Sequence, residues 1–259
     1  MPIIPLIDHS PDNEPSQDHE TSPERNLPLT LLKIHDLSSQ GAKRFLHSTD
    51  PSAILADSIR TVLRVLTPDD ISNPNVRSIT LILRAFDGVA YTAGKDIDFE
   101  HKEIHFSTTY IASLAPERVR DEIAGVLVHE MVHVWQWNGQ HQCNGGLIEG
   151  IADWVRLQAG LAPPHWRRRC EECEWDDGYE VTGYFLDWID ERVGKGIVVK
   201  INQKLRQKYV EEEFWAEFCN GEDVQTLWAK YAESLGEQGP DKDRQRETEA
   251  GEGEENEKQ

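Results

Sequence analysis

The pentapeptide His129-Glu130-Met131-Val132-His133 constrains this chain more than any other stretch. Around it, Val119, Ile123, Val126, Leu127, Met131, Val134 and Trp135 recur close to helical spacing. Residues four apart on an α-helix share a face, so His129 and His133 can hold one metal ion through two imidazole nitrogens. Shifting either by one residue would turn it about 100° off that face. Glu130 follows the first histidine and can reach a metal-activated water rather than the metal, the place for a general base of hydrolysis. Pro116-Glu117 offers a proline for the first turn and an acid near the positive end of the helix dipole, and Asn138-Gly139 a stop. The expected helix covers 116–138 and carries the histidines, buried, in its C-terminal half. A buried imidazole without a partner costs free energy, so each needs a hydrogen bond or a metal. The pentapeptide fixes only three residue types in a chain with 10 histidines. The plain alternative is two packed histidines beside a solvated glutamate, and context has to separate the readings.

That context is Gly145-Gly146-Leu147-Ile148-Glu149-Gly150-Ile151-Ala152-Asp153-Trp154, which reads as a second helix over 146–159 ending near Ala159-Gly160. Glu149 and Asp153 are four apart on one face. A structural zinc site is usually closed by four protein ligands, whereas a catalytic one has three and leaves a position for water. Glu149 can supply the third ligand as a carboxylate oxygen. Asp153 can accept a hydrogen bond from the free ring nitrogen of a ligating histidine and so orient it. The reverse assignment, Asp153 on the metal and Glu149 behind it, stays open. A solvated helix face is the bland option, slightly disfavoured by like-charge repulsion at this spacing. An HExxHxxGxxH site would need Gly at 136 and His at 139, where the chain has Gln136 and Gly139; His141 belongs to the loop.

Hydrolysis also calls for a group that stabilises the developing oxyanion. Tyr179, Tyr184 and His165 are the candidates. Tyr179 is preferred because it opens a helix after the Asp176-Asp177-Gly178 turn. Each of the three has a packing role as its alternative. The tryptophans at 135, 137, 154, 166, 175 and 188 are expected mostly in the core or cleft wall.

Coarse patterning predicts strands over 29–35, 78–86, 89–92 and 103–107, with 87–107 as a short β-meander turning at Asp87-Gly88 and Ala93-Gly94. Helices are expected over 51–66, 116–138, 146–159, 179–193, 196–208, 211–219 and 223–234. The layout is α+β: a small N-terminal mixed β-sheet with helices, then a mainly helical half carrying the active-site helix. A hydrophobic content of 38% in 259 residues suits one sizeable domain, placed at 27–235. Residues 1–26 are polar and proline-rich, and 236–259 are rich in Glu, Gly, Lys and Gln; both read as disordered, the latter as an acidic tail. The net charge of −20 disfavours nucleic acid as a partner. No stretch reaches the roughly 18 uninterrupted apolar residues of a membrane span. Of the cysteines, Cys170-x-x-Cys173 lacks the second pair that a structural zinc site needs. Free thiols at Cys143, Cys170, Cys173 and Cys219 are expected, with a Cys170–Cys173 or other bridge as the alternative.

The run HEMVHVWQWNG, then GGLIEGIADWVRLQAG, then APPHW resembles the plant and bacterial peptidase family named after the basic secretory proteins. FDGVAY (86–91) and EIHFSTTYI (103–111) upstream, and DDGYEVTGYFLDWI (176–189) downstream, are similar to the same family, so the resemblance covers about residues 28–233. It implies a zincin-like fold binding Zn2+ through His129, His133 and Glu149, with Glu130 catalytic. It further implies that the 103–107 strand lies at a sheet edge and pairs with an extended peptide substrate. Plant members are typically basic and carry a secretion signal, whereas this chain has a pI near 4.8 and its first residues, Met1 to His9, show neither a basic nor an adequate apolar segment. A cytoplasmic location is therefore expected, with secretion as the alternative that the resemblance implies. The leading function is a zinc-dependent metallopeptidase acting on peptides or proteins. The rival is a catalytically silent member of the fold that keeps its zinc and acts as a binding protein. The sequence says nothing of oligomeric state.

Deleting residues 1–26 and 240–259 is expected to leave the unfolding midpoint and metal content unchanged, because neither segment has the apolar residues to join a core. Thermal melts of the full and trimmed chains check this; a clear drop in the trimmed chain would contradict it.

Overall fold

The computed structural model describes residues 27–67, 73–168 and 172–237. The expectations for residues 1–26, and for all but the start of 236–259, lie outside the described residues. The chain opens with strand β1 (Leu29–Ile34), helices α1 (Gln40–Ser48) and α2 (Pro51–Leu66), then strands β2 (Ser78–Arg84), β3 (Ala90–Lys95) and β4 (Asp98–Ser107). Helix α3 (Thr108–Ser113) and a 3-10 turn (Pro116–Arg118) lead into α4 (Val119–Trp135). The rest is helical among the described residues: α5 (Gly145–Gln158), α6 (Tyr179–Val193), α7 (Ile197–Lys204), α8 (Glu211–Phe218) and α9 (Val224–Glu237). The α+β layout holds: a small mixed sheet, then a mainly helical half. No helix among the described residues is long and apolar enough to cross a membrane.

The sheet order is β1-β2-β4-β3, with β1, β2 and β4 mutually parallel and β3 antiparallel to β4. This corrects two expectations. Residues 87–107 do not form a meander with the preceding strand, because β3 skips past the place beside β2 and β4 returns to fill it. The strand at 103–107 is consequently interior, and β3 is the edge on that side, with β1 at the other. The physical reason lies in burial. Residues Ser78 to Leu83 of β2 are buried without alternation, the mark of a strand covered on both faces. Ile104 and Phe106 of β4 are fully buried beside it. The short β3, with Gly94 and a terminal Lys95, suits an edge better. Gly94 lies within β3, so the reversal is not at Ala93-Gly94 but at Asp96-Ile97, between paired Lys95 and Asp98.

Helices α1 and α3 were not anticipated. Each is short and starts on a serine cap: Ser39 accepts from the Ala42 amide, and Ser107 from the Tyr110 amide. They pack so closely that a Cβ at Gly41 would stand 1.9 Å from the Thr108 carbonyl oxygen. Helix α4 is buried nearly all round, between the sheet and helices α2 and α5. Its ends fall inside the expected limits. The proline turn is 3-10 rather than α, and Gln136 is already extended at ψ 141°.

Helix α5 begins on Asn144, whose side chain accepts from the Leu147 amide at 2.7 Å. It is pressed against α6 through glycine. A Cβ at Gly150 would meet Thr182 Cγ2 at 2.3 Å, and one at Gly146 the Asp176 carbonyl oxygen at 1.7 Å. Behind them Phe185, Trp215 and Tyr231 fill the helical half, with Trp175 packed edge-on against Trp215. Trp135, Trp154 and Trp175 are buried in the core, as expected. Cys173 is disulfide-bonded, which corrects the expectation of four free thiols; Cys143 and Cys219 are free, and Cys170 lies outside the described residues.

The α5–α6 contact holds the second half of the site, so Gly150→Ala should destabilise the chain by about 1–3 kcal/mol through overpacking. Gly145→Ala, where an added Cβ meets nothing within 4 Å, is the matched control. Thermal unfolding of the two variants is the check, and equal midpoints would contradict the packing argument.

Candidate metal centre

Helices α4 and α5 run antiparallel and bring four of the sequence-selected residues together. His129 Nε2 lies 3.3 Å from His133 Nε2 and 3.0 Å from Glu149 Oε2, and His133 Nε2 lies 3.6 Å from that same oxygen. Ligand atoms of His129, His133 and Glu149 all fall within 4.8 Å of one another, so the three could hold a metal ion. The far sides of the rings are pinned. His129 Nδ1 is 2.6 Å from Oδ1 of the buried Asp153. His133 Nδ1 is 2.9 Å from Gln136 Oε1, and Gln136 Nε2 donates to the Ile148 carbonyl oxygen at 2.8 Å. That second bond fixes which end of the amide faces His133.

These outer bonds decide what the inner atoms present. An ionised carboxylate and an amide oxygen only accept, so both Nδ1 atoms carry the hydrogen. Both Nε2 atoms then offer lone pairs into the space that Glu149 Oε2 enters. Three acceptors facing one another repel unless a cation or a proton lies among them. Without a cation, a proton on an imidazole would relieve them. Burial pulls the His129 imidazole down, yet its hydrogen bonds to Asp153 and Glu149 and the surrounding acids outweigh this and hold it up to about 10. Burial would raise Glu149, but hydrogen bonds from His129 and His133 and their charges hold it well below the usual carboxylate range. Two imidazole nitrogens and one carboxylate oxygen, each with its lone pair aimed inward, fit a divalent cation.

Glu130 stands beside this group and is not part of it. It is buried, and Thr92 Oγ1 of β3 lies 2.7 Å from its Oε2 and 2.9 Å from its backbone oxygen. Burial pushes its carboxyl up; the histidines and the Thr92 hydrogen bond oppose this. The edge strand is thereby tied to the helix that carries Glu130.

A cavity of about 790 Å³ opens over these residues, with Val89 and residues Ala90 to Thr92 of β3 on one wall. Tyr179 borders it, 55% exposed, its ring stacked on His129 with centroids 6.2 Å apart. It opens α6 with φ 47°, a left-handed conformation uncommon for a bulky side chain. The Glu149 charge, then burial, push its phenol up, so it stays protonated. His165 also borders the cavity. Tyr184 is not among its lining residues and packs against Trp166 and Arg168. Sequence reasoning missed Thr92 and Gln136. Gln136 had a usable signal, since it lies three residues after His133, though the helix has ended by then. Thr92 had none, because the sheet edge that delivers it is set by non-local pairing.

A family model described as a peptidase of plants and bacteria, BSP, matches residues 28–231. The chain belongs to this family. No curated protein and no solved structure matches it. The BSP match spans every element that builds the centre, from β1 into α9, and agrees with the resemblance drawn from the motifs.

Gln136→Ala should lower metal affinity by roughly 10–100-fold while leaving the fold intact, because it frees the outer nitrogen of a ligating histidine. Competition with a chromogenic chelator gives the number. An unchanged affinity would show that Gln136 does not orient His133.

Proposed function

We propose that the chain is a zinc-dependent metallopeptidase that hydrolyses peptide bonds in peptide or protein substrates. The observation that carries this is the pairing of a three-ligand centre with a buried carboxylate, Glu130, that holds none of it. Zinc is the reading because two imidazoles and a carboxylate are a usual catalytic zinc donor set, with a position left open. Bound there, the ion would act as a Lewis acid toward water and the substrate carbonyl.

The chain's own residues then divide the work. His129, His133 and Glu149 hold the ion, and Asp153 and Gln136 keep the imidazole lone pairs aimed at it. The Glu130 carboxylate takes a proton from the attacking water and can return it to the departing amide nitrogen. Its raised pKa, with Thr92 steadying one oxygen, makes it a better base than a solvated glutamate. The Tyr179 hydroxyl donates to the oxygen that gains charge; its strained backbone is of the kind that functional sites hold in place. An extended substrate adds to the free edge of β3 rather than to the strand at 103–107.

Two variants separate the roles. Glu130→Gln should retain the metal and lose hydrolysis by about 10²–10⁴-fold, since an amide cannot take the proton. Asp153→Asn should instead weaken metal affinity by roughly 10–100-fold, with activity partly regained at high zinc. Hydrolysis of an unstructured protein across a zinc titration, with and without chelator, is the assay. A Glu130→Gln chain that cleaves normally, or that comes without metal, would overturn the assignment.

A further inference from the structure

The cavity extends past the metal-ligand group to an end that no step above uses. It follows α4 toward its N-terminus, past Val126 to Glu122, and α5 past Asp153 to Arg156. His129 and Glu122 are separated by about 10 Å of helix rise. Tyr110, Pro163 and Trp166 wall this end.

Arg156 is only 8% exposed, yet it borders the cavity. Its Nε donates to the Leu161 carbonyl oxygen at 3.0 Å and its Nη2 to Glu122 Oε2 at 3.1 Å. The other Glu122 oxygen accepts from Arg118 Nη2 at 3.2 Å. Each oxygen of Glu122, the acid nearest Arg156, therefore accepts from a guanidinium group, and Asp153 bonds His129 instead. Arg156 Nη1 has no partner among the described residues, and neither has the Tyr110 hydroxyl. Burial, and then the Glu122 charge, push the Tyr110 phenol up, so it remains a donor. The guanidinium is fixed in advance. A Cβ at Gly125 would stand 2.5 Å from Arg156 Nε, and the Trp166 ring centroid lies 5.2 Å from its Cζ. Two held donors face the cavity without an acceptor among the described residues, so an acceptor brought by a ligand can take them.

We infer that the Tyr110–Arg156 end of the cavity is a specificity subsite for a long substrate side chain ending in an oxygen acceptor, glutamate before glutamine. The side chain belongs to a residue flanking the cleaved bond. A lysine or arginine there would meet donors only, and a leucine would leave both donors unpaired, which is the stronger source of discrimination. A carboxylate adds charge assistance to the hydrogen bonds it accepts from Arg156. The inference rests on the peptidase reading for its substrate, and the experiment keeps the two apart.

The probes are matched peptides varied to Glu, Gln, Leu or Lys at each residue flanking the bond. The zinc-loaded full chain is assayed for kcat/KM, and the Glu130→Gln chain for peptide binding by fluorescence anisotropy. At one position Glu should exceed Leu and Lys by on the order of tenfold in both measurements, with Gln keeping much of the gain. Tyr110→Phe should shrink that ratio a few-fold. Arg156→Lys, which keeps a charge for Glu122, should shrink it further. Cleavage or binding that is equal for Glu, Leu and Lys at both positions, or best with Lys, would overturn the subsite. Preferential binding of the Glu peptide without cleavage of any peptide would uphold the subsite and sink the peptidase reading.

Discussion

Everything at the centre depends on two outward hydrogen bonds, His129 Nδ1 to Asp153 and His133 Nδ1 to Gln136. They spend the ring hydrogens away from the site and leave lone pairs facing inward. Without them the same three side chains could settle as an ordinary hydrogen-bonded cluster. With them, the inward atoms of His129, His133 and Glu149 form an arrangement that only a shared cation or proton relieves. Asp153 is buried and Gln136 is tied to the Ile148 carbonyl, so neither partner is free to turn away.

The rest of the molecule can be understood as what holds those bonds in register. Helix α4 is surrounded, so its rotation is fixed by packing on every side. Helix α5 is locked against α6 and the turn before it by contacts that admit no side chain at Gly150, facing Thr182, and Gly146, facing Asp176. The sheet contributes through its edge. Thr92 of β3 grips Glu130, and the outer side of the same strand pairs with no other strand among the described residues. The Glu130 carboxylate, the three side chains that could hold a metal and the sheet edge beside the cavity thus come from three elements whose spacing is set by separate packing constraints.

Much of the centre was legible in the sequence because its geometry is local. The i, i+4 spacing of His129 and His133, and of Glu149 and Asp153, is a statement about one helix each. The pairing of the two helices was suggested by the chemistry that both halves share. What was not legible is non-local. Nothing in 87–107 announces that β4 inserts between β2 and β3, so the edge was assigned to the wrong strand and Thr92 was overlooked. Helix α1 has no assignment in the sequence patterning, and its Gly41 is needed for a contact with Thr108 that is itself non-local. The donor pair at Tyr110 and Arg156 was invisible for the same reason: the two residues lie far apart in sequence and only the packed cavity brings them together.

Metal content is the most direct test of the claim that these two helices assemble a three-ligand centre. The full chain, dialysed against trace zinc and analysed by elemental emission, should hold about one ion. His133→Ala and Glu149→Ala should each lose most of it while keeping the native circular dichroism spectrum. Full zinc occupancy in His133→Ala would contradict the account, because the lone-pair argument leaves no other inward-facing atom to replace that imidazole.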